Sequence, residues 1–472
     1  MPLSPLLAAV AGRIGPAHVL TDPADMAPYL HEERGLYAGT APAVLRPGST
    51  EEVAFIVAAC AQADVPIVPQ GGNTGLVGGQ MPFGEMLVSL QRLDRIRNVD
   101  PVDMTMTVEA GCILDRIHEA AEAAGCLFPL HIASQGSCRI GGNLASNAGG
   151  TAVLRYGNAR ELALGLEVVT PQGEVWDGLR GLRKDNTGYD LRDLYIGSEG
   201  TLGIITAATV KLYPLPVAQC TALLALDSID AGVAVLGRAR AGFGAALTGF
   251  ELMAGDCLQM VVDLFPQQRL PFEGESARAN WFALLELSDS ESEEHARERF
   301  EAVLGAAVED GLVNDAAIAE SLAQSRALWH LRESIPLAEA EQGKSIKHDV
   351  SIPISRIAEF VHVTNAALQE RFPGVRNVVF GHLGDGNLHY NVAPGEGQGE
   401  ADLIARQADI YALVHASVHA HQGSISAEHG IGQLKRDELP RYKSELELAL
   451  MRRVKQALDP DGLMNPGKVL AA

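Results

Sequence analysis

The stretch Gly381-His382-Leu383-Gly384-Asp385-Gly386-Asn387-Leu388-His389-Tyr390-Asn391 can bring two imidazoles to one spot. Asp-Gly between apolar runs is a hairpin signal, and Val378-Val379-Phe380 and Tyr390-Asn391-Val392 read as its two strands. With Asp385 and Gly386 as a two-residue loop, His382 falls directly opposite His389, with Cβ atoms roughly 5 Å apart. Two rings at that spacing can ligate one metal ion. Asn391, two residues beyond His389, points to the same face.

A carboxylate to complete the pair stands further along, in Ser424-Ile425-Ser426-Ala427-Glu428-His429-Gly430-Ile431-Gly432. Glu428 with His382 and His389 makes a two-histidine, one-carboxylate set, which leaves coordination positions open for substrate. Neighbouring side chains diverge along an extended chain. His429 is thereby placed to act as a base while Glu428 binds the metal.

Three glycine-rich segments lie in the first half of the chain: Pro69-Gln70-Gly71-Gly72-Asn73-Thr74-Gly75-Leu76-Val77-Gly78-Gly79, then residues 136–150, then Gly197-Ser198-Glu199-Gly200-Thr201-Leu202-Gly203. Successive glycines let backbone N–H groups converge into an anion-binding nest. Three such segments, each beside strand-like sequence, favour a large phosphate-containing cofactor. The first is followed by the strand-like Met86-Leu87-Val88-Ser89-Leu90, whereas a Rossmann fingerprint or a Walker loop opens a helix. The single Gly-Lys-Ser, Gly343-Lys344-Ser345, has Ala338 where a Walker loop needs its first glycine, which excludes a nucleoside triphosphate site there.

These residues must be positioned by a chain of 472 residues, long enough for two or three domains. Its net charge of −22 and lack of a Lys/Arg cluster exclude nucleic-acid binding, and an anionic substrate needs a local basic set. The six scattered cysteines contain no CxxC pair and read as reduced thiols of a cytoplasmic protein. Residues 1–15 read as a short helix, and no run is long enough for a transmembrane segment, so any membrane contact is expected to be peripheral. Ser49-Thr50-Glu51-Glu52 has the pattern of a capping box, and residues 166–176 read as a hairpin. Pro214-Leu215-Pro216 marks a domain boundary. Beyond it, residues 317–342 read as a helix carrying Arg332, residues 346–352 as a strand carrying Lys347, and residues 444–457 as a helix. Arg332 and Lys347 are the candidates for the basic set.

Taken in order, Pro69 to Gly75, Gly141-Gly142-Asn143 through Asn147-Ala148-Gly149-Gly150, Gly197 to Gly203, His382 to His389, Glu428-His429-Gly430 and Asn465-Pro466-Gly467-Lys468 resemble the FAD-dependent D-2-hydroxyacid dehydrogenases of the vanillyl-alcohol oxidase-like superfamily, a group that includes D-2-hydroxyglutarate and D-lactate dehydrogenases. The resemblance spans roughly residues 40–470. It implies an α+β fold: an FAD-binding domain of two subdomains (1–216), a substrate domain with an antiparallel sheet (217–423), and a C-terminal helical segment (424–472) that completes the active site and returns to the FAD domain. It implies FAD contacts from Pro69, Gln70, Gly71, Gly72, Asn73, Thr74, Gly75, Leu76, Gly136, Ser137, Gly141, Gly142, Asn143, Asn147, Gly200, Ile205 and Asn465. It further implies a divalent metal, usually Zn²⁺, on His382, His389 and Glu428, with His429 as catalytic base and hydride passing from substrate C2 to flavin N5. Arg332, Lys347 and Asn391 are the implied substrate residues, the first two gripping a distal carboxylate together with a threonine. Pro336 stands at that threonine's place and departs from the pattern for 2-hydroxyglutarate, leaving D-malate and D-lactate beside it as substrates.

An electron-transfer flavoprotein, a quinone or a cytochrome is the expected electron acceptor, and a homodimer the expected assembly. Three alternatives stay open at this level: an oxidase using oxygen on the same substrates, a flavin electron-transfer subunit, and a flavin-free metal-dependent hydrolase or lyase.

Overall fold

The computed structural model of the protein describes residues 3–32 and 34–471. The chain folds as two compact units, one formed by Met1–Gly150, Gly157–Leu215 and Glu428–Ala472, the other by Thr151–Tyr156 and Pro216–Ala427. Among the described residues, no helix is long and apolar enough to cross a membrane, and all six cysteines are free thiols.

The first unit carries two sheets. In the four-stranded one, Val19–Leu20, Val44–Leu45, Met86–Ser89 and Ile67–Gln70 lie side by side in that order. Ile67–Gln70 and Met86–Ser89 run parallel, and the glycine-rich segment 71–79 leaves the end of the first of them. The helix Thr50–Ala63 buries Val53, Ile56, Val57 and Cys60, as their spacing requires. Ser49 caps it by accepting from the Glu52 N–H, but the Glu52 carboxylate takes the Gly48 N–H at 2.7 Å, so only half of the expected capping box forms. The second sheet is antiparallel, ordered Ile96–Asp100, Thr105–Glu109, Ile204–Lys211, Ala163–Val169 and Val175–Gly178. The last two strands are the expected hairpin.

The C-terminal segment is stitched into this unit. Met464 bridges Ile67 in parallel register, extending the four-stranded sheet. The buried carboxylate of Asp459 makes that possible: it accepts from the N–H groups of Leu463 and Met464, each at 2.9 Å, and from Lys455 Nζ at 2.5 Å.

The second unit is built on a seven-stranded sheet in the order Asp315–Ile318, Ala218–Leu226, Trp281–Asp289, Leu247–Ala254, Arg376–His382, Asn387–Ala393 and Asp349–Ser351. Every pairing is antiparallel. The helix expected over 317–342 forms as two, Leu322–Glu333 and Ile335–Glu341, with Ser334 between them and Pro336 in the first turn of the second, and residues 317–318 belong instead to the strand Asp315–Ile318. Proline fits a first turn and not a helix interior, because it lacks the N–H that an interior turn would use. Leu328, Leu331, Ile335 and Ala338 pack with Val378 and Phe380 in one apolar cluster, docking both helices on the sheet.

Replacing Asp459 with Ala strands two buried N–H groups and removes the counter-charge of the Lys455 ammonium, which keeps its bonds to Thr201 O and Met464 O. The expected loss is about 2–4 kcal/mol of unfolding free energy, read from urea denaturation of the FAD-loaded protein.

Candidate active site

Within the first unit the glycine-rich segments abut one another. A Cβ on Gly72 would lie 2.3 Å from the carbonyl oxygen of Ser137, an approach that only glycine allows, and one on Gly71 would lie 3.7 Å from the Gly142 nitrogen. A Cβ on Gly200 would lie 2.6 Å from the Pro69 ring. Asn465 donates from Nδ2 to the carbonyls of Gly79 and Glu199, each at 2.8 Å. The four stretches expected to contact a cofactor therefore meet.

The cradle also holds unanswered acceptors. Gln70 Oε1, Asn73 Oδ1 and Asn465 Oδ1 are buried and accept no hydrogen bond among the described residues. Asn73 is fixed at φ 60° with its Nδ2 donating to Pro28 O and His31 O, at 3.2 and 2.7 Å. Buried acceptors ordinarily find partners, and a polar dinucleotide brings donors of its own, so this set fits FAD. Some expected contact residues are engaged locally instead. Asn147 ends the helix Ile140–Ser146 and accepts from Arg160 N at 3.0 Å, Asn143 donates to Cys138 Sγ at 3.5 Å, and Leu76 O accepts from Arg34. Ile205 lies buried in the strand Ile204–Lys211 opposite Val168.

In the second unit the histidine hairpin forms with a register different from the expected one. His382 pairs with Asn387, and His389 pairs with Phe380. The loop is four residues, 383–386, because Leu383 is drawn into the core and Gly384 N donates to Phe250 O at 3.0 Å. Asp385 then closes the turn by accepting from Asn387 N at 3.0 Å, and Gly386 takes the left-handed φ of 88°. Burial pushes the Asp385 carboxyl up to about 6. The two histidines are diagonal neighbours rather than opposite ones. Their rings still share a face, with centroids 5.8 Å apart and nearly perpendicular.

That face is organised by a residue the sequence did not single out. Glu251 has no exposed surface and sits on Leu247–Ala254, next to the hairpin. Its Oε1 lies 2.6 Å from His382 Nδ1, and its Oε2 accepts from Arg332 Nε at 2.7 Å. Burial alone would raise the Glu251 carboxyl, but the charges and hydrogen bonds of His382 and Arg332 overcome it and hold it well below the usual carboxylate range. The Arg332 guanidinium also lies 4.8 Å from the Phe380 ring centroid, and the His389 ring packs against the same phenyl at 4.9 Å. Further along the face, Asn391 Nδ2 and Lys347 Nζ both donate to Glu339 Oε2, at 2.9 and 2.5 Å. Arg332, Lys347 and Asn391 are thus all held by buried glutamates.

Residues 215–469 match the family described as FAD linked oxidases, C-terminal domain, and residues 41–178 match the FAD binding domain family. The chain is 40% identical over 452 residues to a D-2-hydroxyglutarate dehydrogenase of Xanthomonas citri pv. viticola, covering 95% of this chain and 93% of the relative. It is 39% identical over 436 residues to the mitochondrial D-2-hydroxyglutarate dehydrogenase of Arabidopsis thaliana, covering 92% and 76%. The chain belongs to the FAD-dependent D-2-hydroxyacid dehydrogenase family. A p-cresol methylhydroxylase structure superposes with a TM-score of 0.78 at 15% identity, covering 99% of this chain and 96% of that one, which shows a shared fold.

Two more carboxylates of this dehydrogenase escaped sequence reading. Asp349 lies across the sheet from His389, accepts from Asn387 Nδ2 at 2.9 Å, and accepts the Ala427 N–H at 3.1 Å. Glu199, inside the third glycine-rich segment, accepts from Ile431 N and Gly432 N at 2.7 and 2.8 Å. Burial raises its carboxyl against those two bonds. The Glu428-His429 dipeptide is therefore flanked on both sides by backbone held on carboxylates. Its side chains do not diverge as expected: His429 Nε2 lies 3.9 Å from Glu428 Oε1.

Removing the Glu251 carboxylate leaves a buried guanidinium without its counter-charge. Glu251→Ala is expected to cost about 3–5 kcal/mol in urea denaturation, with FAD still bound.

Proposed function

We propose that this dehydrogenase oxidises a D-2-hydroxy acid to the 2-oxo acid, with FAD in the glycine cradle and a divalent metal, zinc by donor type, on His382, His389 and Glu428. The names of its relatives support the substrate class. The observation that carries the metal reading is the 2.6 Å contact between Glu251 and His382 Nδ1. Metal-ligating histidines give their second ring nitrogen to a carboxylate or carbonyl, which fixes the tautomer and raises the basicity of the other nitrogen. The Glu251 contact supports this role for His382, with Nε2 as the nitrogen proposed to ligate.

When bound, the metal supplies Lewis acidity at the 2-hydroxyl and FAD supplies the acceptor for the C2 hydride. The chain's own residues do the positioning and the proton transfer. His382 and His389 share one face of a rigid antiparallel sheet, which suits a site that must hold its geometry. His429 takes the hydroxyl proton on a ring nitrogen, imidazole being the side chain that changes protonation near neutral pH. Glu199 and Asp349 keep the flanking backbone of the Glu428-His429 dipeptide in place. Arg332, Lys347 and Asn391 face the substrate from the sheet side.

His429→Asn is expected to lower flavin reduction by substrate at least a thousandfold, with the flavin absorbance of the purified protein intact. Reduction within tenfold of wild type in stopped flow would remove His429 from the role of base. Stripping the metal with a chelator, verified by elemental analysis, is expected to abolish reduction, with recovery on adding Zn²⁺. Full activity in metal-free protein would make the histidine pair structural.

A further inference from the structure

The proposed substrate face carries its two candidate substrate cations already matched by carboxylates. Arg332 is paired with Glu251, and its guanidinium lies over Phe380. Lys347 is paired with Glu339, which is 2% exposed and also accepts from Asn391 Nδ2 and from Ser345 Oγ at 2.6 Å. Arg376 begins the strand that carries Phe380 and His382, and it lines a cavity of about 300 Å³ together with Glu339 and Glu400. Arg332 and Lys347 are thus each matched by a buried carboxylate, while Arg376 donates to Gln342 Oε1. Glu251 and Glu339 are almost wholly shielded from water, so their charges are poorly screened. Pro336, on the helix that supplies Glu339, offers neither a hydroxyl nor an N–H.

A second carboxylate on the substrate would need surplus positive charge, since burying an anion without it costs more than it returns. It would also meet Glu339 or Glu251 beside whichever cation it approached. The face instead suits a chain that is small or uncharged beyond C2. Resting on the dehydrogenase reading above, we infer that the substrate is a D-2-hydroxy monocarboxylate, and that Glu339 is the residue that excludes dicarboxylates by neutralising Lys347. The carboxylate at C1 lies next to the reacting carbon and is left to the metal site, so the exclusion acts only on a distal charge.

The test is anaerobic reduction of the FAD- and zinc-loaded enzyme by D-lactate, D-2-hydroxybutyrate, D-malate, D-2-hydroxyglutarate and the 5-methyl ester of D-2-hydroxyglutarate. The expected result is a reduction efficiency at least tenfold higher for the monocarboxylates than for either diacid, with the methyl ester, similar in size to its parent but uncharged at its far end, outperforming that parent. Glu339→Gln leaves Lys347 uncompensated and is expected to raise the diacid-to-monoacid ratio at least tenfold, whereas Glu339→Asp keeps the ratio within threefold of wild type. The wild-type comparison decides alone should the Gln variant fail to fold. A wild-type preference for a diacid, or a ratio that a folded Glu339→Gln variant does not move, would overturn the inference. Reduction by none of the D-2-hydroxy acids would instead overturn the dehydrogenase reading, and the inference with it.

Discussion

One carboxylate shared by a guanidinium and an imidazole underlies the whole substrate-side arrangement. Glu251 is fully buried, a state that is costly for an anion unless opposite charge and hydrogen bonds surround it. Arg332 and His382 provide both, one to each oxygen. To do so they must arrive from different places: His382 from the next strand, in a register that sets Leu252 opposite Gly381, and Arg332 from the last turn of a helix docked on the sheet. The position of that helix, its end at Glu333 and the orientation of the His382 ring are therefore linked through a single side chain. Because carboxylate oxygens accept in the plane of the group, the imidazole is also locked in rotation, which a metal ligand requires.

The two elements of the Glu428-His429 region obey the same logic with backbone in place of side chains. Asp349 anchors the residue before the dipeptide, and Glu199 anchors the third and fourth residues after Glu428. A loop rich in glycine and serine has little conformational preference of its own, so external anchors decide where its functional side chains sit. Four carboxylates, Glu251, Glu339, Asp349 and Glu199, consequently position cations, amides and backbone rather than meeting solvent. A chain of net charge −22 uses part of its acidic excess as internal scaffolding.

Much of this was legible in the sequence where the signal is local. Glycine spacing revealed which loops pack closely on one another because close backbone approach admits no other residue, as at Gly72. Period-two alternation placed His382, His389 and Asn391 on one face, and that survived even though the register shifted. The shift itself was not legible. Asp-Gly specifies a turn but not its length, and what lengthened it was the burial of Leu383 and the bond from Gly384 to Phe250, a contact distant in sequence. Residues 317–342 were read as one helix although Pro336 marks a first turn, because proline reports a boundary only when the cap before it is recognised, and Ser334 makes no side-chain cap. Glu251 and Glu339 gave no signal at all. A lone glutamate in an apolar strand or helix acquires meaning only from partners such as His382, separated from Glu251 by 131 residues.

The central claim is that Glu251 presents His382 Nε2, alongside His389, to a metal. X-ray absorption at the zinc edge of the metal-loaded protein tests it most directly. The account predicts a first shell with two imidazole nitrogens at about 2.0–2.1 Å and the remainder oxygen. A shell of oxygen alone, or one with a single imidazole, would contradict it.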